Sequence, residues 1–146
     1  MSGWLPVAAG VGSGMVGGFY LAFSAVVIPA LHRRPAEQAT AVMVAVNEAA
    51  VRAPFMILFF GTAAACAATA VVEIAGAPAP SLLRIAAATA SLAGWVSTMA
   101  VNVPLNRRLA TGGAEQWPGY HRSWSRANHL RAGLSVLGAV ALLVPA

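Results

Sequence analysis

Aspartate and lysine are missing from this chain altogether, and all nine of its basic residues are arginines. Without aspartate, no Ser–His–Asp set can be assembled. Cysteine occurs once, at Cys66, which excludes an intrachain disulfide and leaves the redox compartment open. There is no CxxCH motif for haem attachment, and no Walker or Rossmann glycine pattern in a strand–helix context. The three histidines, His32, His121 and His129, lack the i,i+3 or i,i+4 spacing of helical metal motifs, even with Glu48 considered beside them. Neither a metal nor another cofactor is expected from these residues.

Charge of either sign is scarce. Only 9% of the 146 residues are charged while 59% are hydrophobic, and the mean hydropathy is +0.73. A soluble domain of this length cannot bury that much apolar surface, whereas a bilayer removes the need. The net charge of +5 does not indicate a nucleic-acid partner, because the arginines gather at the edges of apolar segments, as in membrane proteins.

A helix needs about 20 apolar residues to cross the hydrocarbon core. Four segments suit: 5–31, 54–75, 82–103 and 127–146. The first has no basic region before it and is long for a signal peptide, so it is expected to remain as a helix. Pro54 suits a first helical turn, "AGAPAPS" (75–81) is a turn ending in the candidate N-cap Ser81, and Pro104 should end or kink the third span. Residues 35–52 carry Met43, Val46 and Ala50 at helical spacing and predict an amphipathic helix at the membrane surface, with Glu48 and Arg52 as a solvated i,i+4 pair. The third connection, 105–126, contains "TGG" and "WPGY" and reads as a loop leading into a helix. The fold class expected is an all-α, integral membrane four-helix bundle forming one domain over residues 1–146, with an interfacial helix between spans one and two.

Arg33, Arg34, Arg52, Arg107, Arg108, Arg122, Arg126 and Arg131 flank the first and third connections, against Arg84 alone on the other side. This asymmetry predicts a multi-pass protein of the cell membrane, with both termini outside and both long connections cytoplasmic. Gly10, Gly14 and Gly18 form a small-residue face in span one, on which another helix can pack closely. Its partner is either a helix of the same chain or a second copy in a homo-oligomer.

Polar side chains gather at the arginine-rich end. Trp95, Thr98 and Asn102 share one face of span three. Thr98 is explained by back-bonding to its own helix. Asn102 is costly to leave unpaired in hydrocarbon, so it either bonds between helices or contacts a ligand. In "WSRANHLR" (124–131), Trp124, Ser125, Asn128, His129 and Arg131 fall with His121 on one half of a helix beginning near Tyr120. The fifteen residues after Arg131 are all uncharged; at 1.5 Å each they span about 22 Å, short of a roughly 30 Å core. Asn128, His129 and Arg131 must then lie at or just under the interface, where a polar half-face needs a partner. Trp117, Arg122 and Arg126 are explained by headgroup anchoring, and His32 as an interface residue.

"GGFYLAFSAVVIPAL" (17–31), "NEAAVRAPFMILFFGTA" (47–63), "VNVPLNRRLA" (101–110) and "WSRANHLR" occur in that order. Together they resemble the anthrone-oxygenase-like family of small four-helix membrane proteins, long catalogued as a domain of unknown function. The resemblance runs over essentially the whole chain, and the two C-terminal motifs are its more specific part. It implies the four-helix architecture, and a reaction in which anthrones are oxidised to anthraquinones by O₂ without a cofactor. The matching polar positions are Asn102, Asn106, Trp124, Asn128, His129 and Arg131, while His121 stands outside the motif.

That chemistry asks for a base, donors for a developing oxyanion and an apolar slot. His129 is the candidate base, with Asn102, Asn128 and Arg131 as oxyanion donors. Trp124, Trp95 and Tyr20, with Asn106 and His121, are candidates for binding a flat substrate that enters from the bilayer. The function expected is a membrane oxygenase or oxidase of a small hydrophobic aromatic compound. The competing readings are a non-catalytic binder or transporter of a lipophilic molecule, and a structural four-helix subunit.

Overall fold

The computed structural model describes residues 3–76 and 78–145; Ala77 in the expected turn and Ala146 at the expected end of span four lie outside them. Helix α1 spans Trp4–His32, α2 Ala36–Ala50 and α3 Phe55–Gly76. Helix α4 covers residues 82–112, and a 3₁₀ turn, Gly113–Gln116, leads into α5, Trp117–Leu143. Helices α1, α3, α4 and α5 form an up-down-up-down four-helix bundle, in which α5 packs on α1 and α4 while α3 closes the ring between them.

The bundle keeps small side chains inside and large apolar ones outside. Ala9, Ser13, Cys66, Ala87, Ala88, Ser91, Ala132 and Ala139 are buried, while Ile57 (71% exposed) and Leu137 (69%) face outward with Val7, Val71 and Val140. In water this distribution would be inverted; in a bilayer the outward residues meet lipid, and close packing of small residues holds the helices together. Three helical stretches, Trp4–His32, Phe55–Gly76 and Leu82–Leu143, are long and apolar enough to span a membrane. The third contains two antiparallel arms, so the protein is a membrane-embedded, all-α bundle.

Several boundaries match the sequence. Ser81 caps α4, its hydroxyl accepting from the Arg84 N–H at 3.3 Å. Pro35 stands before α2, whose Met43 is wholly buried against Leu109 and the aromatic cluster of Trp117, Tyr120 and Trp124. Helix α2 therefore caps the arginine-rich end of the bundle.

Other expectations are corrected. The connection at 105–126 is helical almost throughout, and the chain reverses at Gly113, whose φ of 67° only glycine adopts without strain. Pro104 does not end α4. A π-helical turn, Thr98–Asn102, precedes it and the helix runs on to Gly112. Pro29 in α1 follows another such turn, Phe23–Val27. A proline lacks its N–H and crowds the carbonyl four residues earlier, so widening the preceding turn accommodates both defects. Glu48 and Arg52 form no ion pair; the one ion pair among the described residues joins Arg84 to Glu73 at 3.2 Å. The glycine face is used partly within the chain. Gly10 packs on Leu142 and Leu143 and Gly14 lies nearest Ala139, all on α5, whereas Gly18 has no neighbour within 4 Å. Gly17, not Gly18, continues the contact, against Ser135 and Val136.

Candidate functional site

At about 100° per residue, Trp117, Tyr120, Trp124, Asn128, Arg131 and Ser135 fall within about 80° of one another on α5. All six are buried. This narrow face meets α1 and α4 where both carry their π turns, and the two turns present Ser24, Thr98 and Asn102 to it.

Asn128 is fully buried and spends its whole amide. Its Nδ2 donates to the Tyr20 carbonyl and to Ser24 Oγ, each at 2.8 Å. Its Oδ1 accepts from Arg131 Nε at 3.0 Å and Nη2 at 2.9 Å. Arg131 Nη1 donates to Thr98 Oγ1 at 3.0 Å. Thr98 gives its own proton to the Gly94 carbonyl, which leaves its lone pairs for Arg131 and the Tyr20 hydroxyl, 3.1 Å away. The guanidinium lies 4.0 Å from the centre of the Tyr20 ring and 5.2 Å from that of Trp124. Three of its five N–H groups are thus committed, and two remain.

Arg131 is only 5% exposed, and no carboxylate approaches it among the described residues. It opens instead onto a cavity of about 250 Å³, just under the roughly 300–1,000 Å³ of ordinary small-ligand pockets. The walls are aromatic: Phe19, Tyr20 and Phe23 from α1, Phe55, Phe59 and Phe60 from α3, and Trp124 from α5. Helix α2 supplies Val46, Asn47 and Ala50, and α4 supplies Thr98, Met99, Val103, Asn106 and Arg107. Asn106 Oδ1 accepts from the Tyr120 hydroxyl at 3.0 Å. Among the described residues, Trp124 Nε1 and Asn47 Nδ2 are buried without a hydrogen-bond partner.

Of the residues singled out by sequence, Tyr20, Asn106, Trp124 and Arg131 line this cavity, and Asn128 holds Arg131 from behind. Asn102 is buried nearby, but its Nδ2 donates to the Trp124 carbonyl at 3.4 Å and it does not line the cavity. Trp95 stacks on Phe59 and faces a separate, water-sized void beside Ser13, Cys66, Ser91 and Ser135. The ring of His129 is exposed, with Nδ1 2.6 Å from the Ser125 carbonyl and 3.3 Å from Ser24 Oγ. It reaches the guanidinium only through Ser24 and Asn128. His121 stacks on His32 outside the cavity.

Sequence reasoning missed the phenylalanine wall, Ser24, Asn47 and the second role of Thr98. The signals were Phe19–Phe23 and Phe55–Phe59 at i,i+4, and a lone amide, Asn47, one turn past the buried Met43. Among the described residues, no three His, Cys, Asp or Glu side chains are placed to hold a metal.

Neither the curated proteins nor the solved structures searched gave a match. A family model did, that of anthrone oxygenase, over residues 55–141, which takes in α3, α4 and α5 almost to its end. Asn102, Asn106, Trp124, Asn128 and Arg131 lie inside the matched region, whereas Tyr20, Ser24 and Asn47 complete the site from outside it. As the match covers more than half of its length, the chain belongs to the anthrone oxygenase family.

Proposed function

We propose that this protein is a membrane-embedded oxygenase or oxidase that binds a small, flat aromatic compound of the anthrone type and stabilises its deprotonated form. The observation that carries this reading is Arg131, a buried cation without a carboxylate, facing an aromatic cavity with two N–H groups unspent. Such a charge is costly at membrane depth. An oxyanion in the cavity would offset that cost, and the interaction strengthens as charge develops on the substrate.

An anthrone that loses a proton from its CH₂ group carries the negative charge largely on its carbonyl oxygen, the atom Arg131 would hold. The carbanion passes one electron to O₂, and the radical pair combines to a C–O–O⁻ peroxide. The peroxide takes a proton from water, and transfer of the remaining C–H proton to water, with cleavage of the O–O bond and release of hydroxide, leaves a second carbonyl. The balance is CH₂ + O₂ → C=O + H₂O. Among the described residues no imidazole or carboxylate lines the cavity, so the first proton leaves to water admitted with the substrate, and Arg131 supplies the stabilisation that makes water a sufficient acceptor.

Oxygen uptake by the purified protein with an anthrone-type substrate tests this reading, and His129→Gln tests the proton path. Loss of a general base lowers rates by about 10²- to 10⁴-fold. His129→Gln is expected to stay within a few-fold of the parent rate. A hundredfold loss would assign the proton to His129 through Ser24 and Asn128. Saturable substrate binding with no oxygen uptake would leave a non-catalytic binder.

The arginine asymmetry supports an orientation with the site end of the bundle on the cytoplasmic side. In a Cys66→Ser background, Thr111→Cys should resist an impermeant thiol reagent in intact cells. Labelling there would invert the orientation.

A further inference from the structure

A second recess, of about 350 Å³, lies between the end of α1 and the start of α5 and shares no lining residue with the aromatic cavity. Its titratable and charged lining residues are all basic: His32 and Arg34 from the α1 side, His121 and Arg122 from α5. The nearby part of α2 contributes only Ala36. Trp117 closes the back, its ring 5.9 Å from that of His121. The two imidazoles stack face to face, centres 4.5 Å apart and planes 20° from parallel.

We propose that this recess binds a phosphate group, supplied by the headgroup of an anionic membrane phospholipid. Two arginines and two histidines line this one space, and a phosphate has the oxygens to accept from all four. A metal ion would be repelled by both arginines and would find only two nitrogen ligands. His32 ends an apolar, membrane-length helix, which sets the recess at headgroup depth. Occupancy would clamp α1 to α5, the helices that carry Tyr20 and Arg131, and a phosphate is held best when the stacked imidazole pair carries a proton, so binding tightens as pH falls.

The test uses the full-length protein in neutral detergent, titrated separately with phosphatidic acid, phosphatidylcholine and inorganic phosphate, with bound ligand counted by native mass spectrometry. Phosphatidic acid should bind saturably, more tightly at pH 6 than at pH 8, and better than phosphatidylcholine. The double change Arg34→Gln/Arg122→Gln should weaken binding by roughly tenfold or more, whereas Arg126→Gln, on the same helix but outside the recess, should not. Inorganic phosphate binding alone with the same arginine dependence would keep the phosphate site and make its ligand a soluble anion. Equal weakening by Arg126→Gln would reduce the effect to general surface charge and overturn the proposal. So would no saturable binding of either probe, or no pH dependence in the unaltered protein, a comparison that needs no variant to fold.

Discussion

Arg131→Gln should lower the rate of oxygen uptake by about 10²- to 10³-fold, the usual loss when a preorganised oxyanion donor is removed. The change keeps an N–H donor for Asn128 Oδ1, so helicity and folding should persist while the positive charge is lost. Arg131→Lys separates charge from shape. The guanidinium is held in one plane by Nε and Nη2 on Asn128, by Nη1 on Thr98 and by the Tyr20 ring beneath it. A lysine ammonium cannot reproduce that fork. Its rate should therefore lie closer to that of the glutamine variant than to that of the parent. Steady-state oxygen consumption, with kcat and KM resolved, measures both. A near-normal rate in Arg131→Gln would remove the basis of the proposed function, and full recovery by lysine would show that charge alone suffices.

The limits of what the sequence revealed are clearest on α5. Asn128 and Arg131 could be read as inward-facing because fifteen uncharged residues follow them and any polar group there needs a partner. His129 shares half of the helix circumference with them, which is a coarse window. The buried face is much narrower, and His129 lies about 140° from its centre at about 100° per residue. Apolar length alone located the first helix, expected at 5–31 and found at Trp4–His32. It did not locate the end of α4 or the start of α5, which lie at Gly112 and Trp117 rather than near 103 and 127. The third connection was not legible because, of its turn signals, only Gly112 and Gly113 serve a reversal, while Pro118 and Gly119 lie in the first turn of α5. Pro104 marked a real disturbance of α4, but whether a helix kinks, ends or widens into a π turn depends on what packs beside it. The aromatic wall draws on three helices whose rotational phases are set only by the bundle, so no local pattern could assemble it. Thr98 shows the same limit, because its bond to the Gly94 carbonyl is local while its bond from Arg131 spans 33 residues.

Asn128→Leu should be among the most destabilising single changes in the chain, and the reason can be isolated. Leucine is close in size, so packing is nearly preserved, but the bonds to the Tyr20 carbonyl, Ser24 and Arg131 all disappear. Bonds between membrane helices average only about 0.6 kcal/mol, so the two to α1 account for little. The larger cost is a buried guanidinium left with Thr98 alone, and breaking a buried charged partnership typically costs about 3–5 kcal/mol. Asn128→Leu combined with Arg131→Met should therefore recover most of the lost stability while remaining inactive, because both polar partners are then gone. Asn128→Asp goes the other way. It places a carboxylate on Arg131, which should keep the fold and yet suppress oxygen uptake, since the cation is already neutralised when the substrate anion forms. Thermal unfolding in detergent, followed by tryptophan fluorescence, checks the first pair, and oxygen consumption checks the third variant. If the double variant unfolds as early as Asn128→Leu alone, the contribution of Asn128 lies in joining α1 to α5 rather than in holding the cation. If Asn128→Asp works at the parent rate, the unpaired charge of Arg131 is not what the reaction uses.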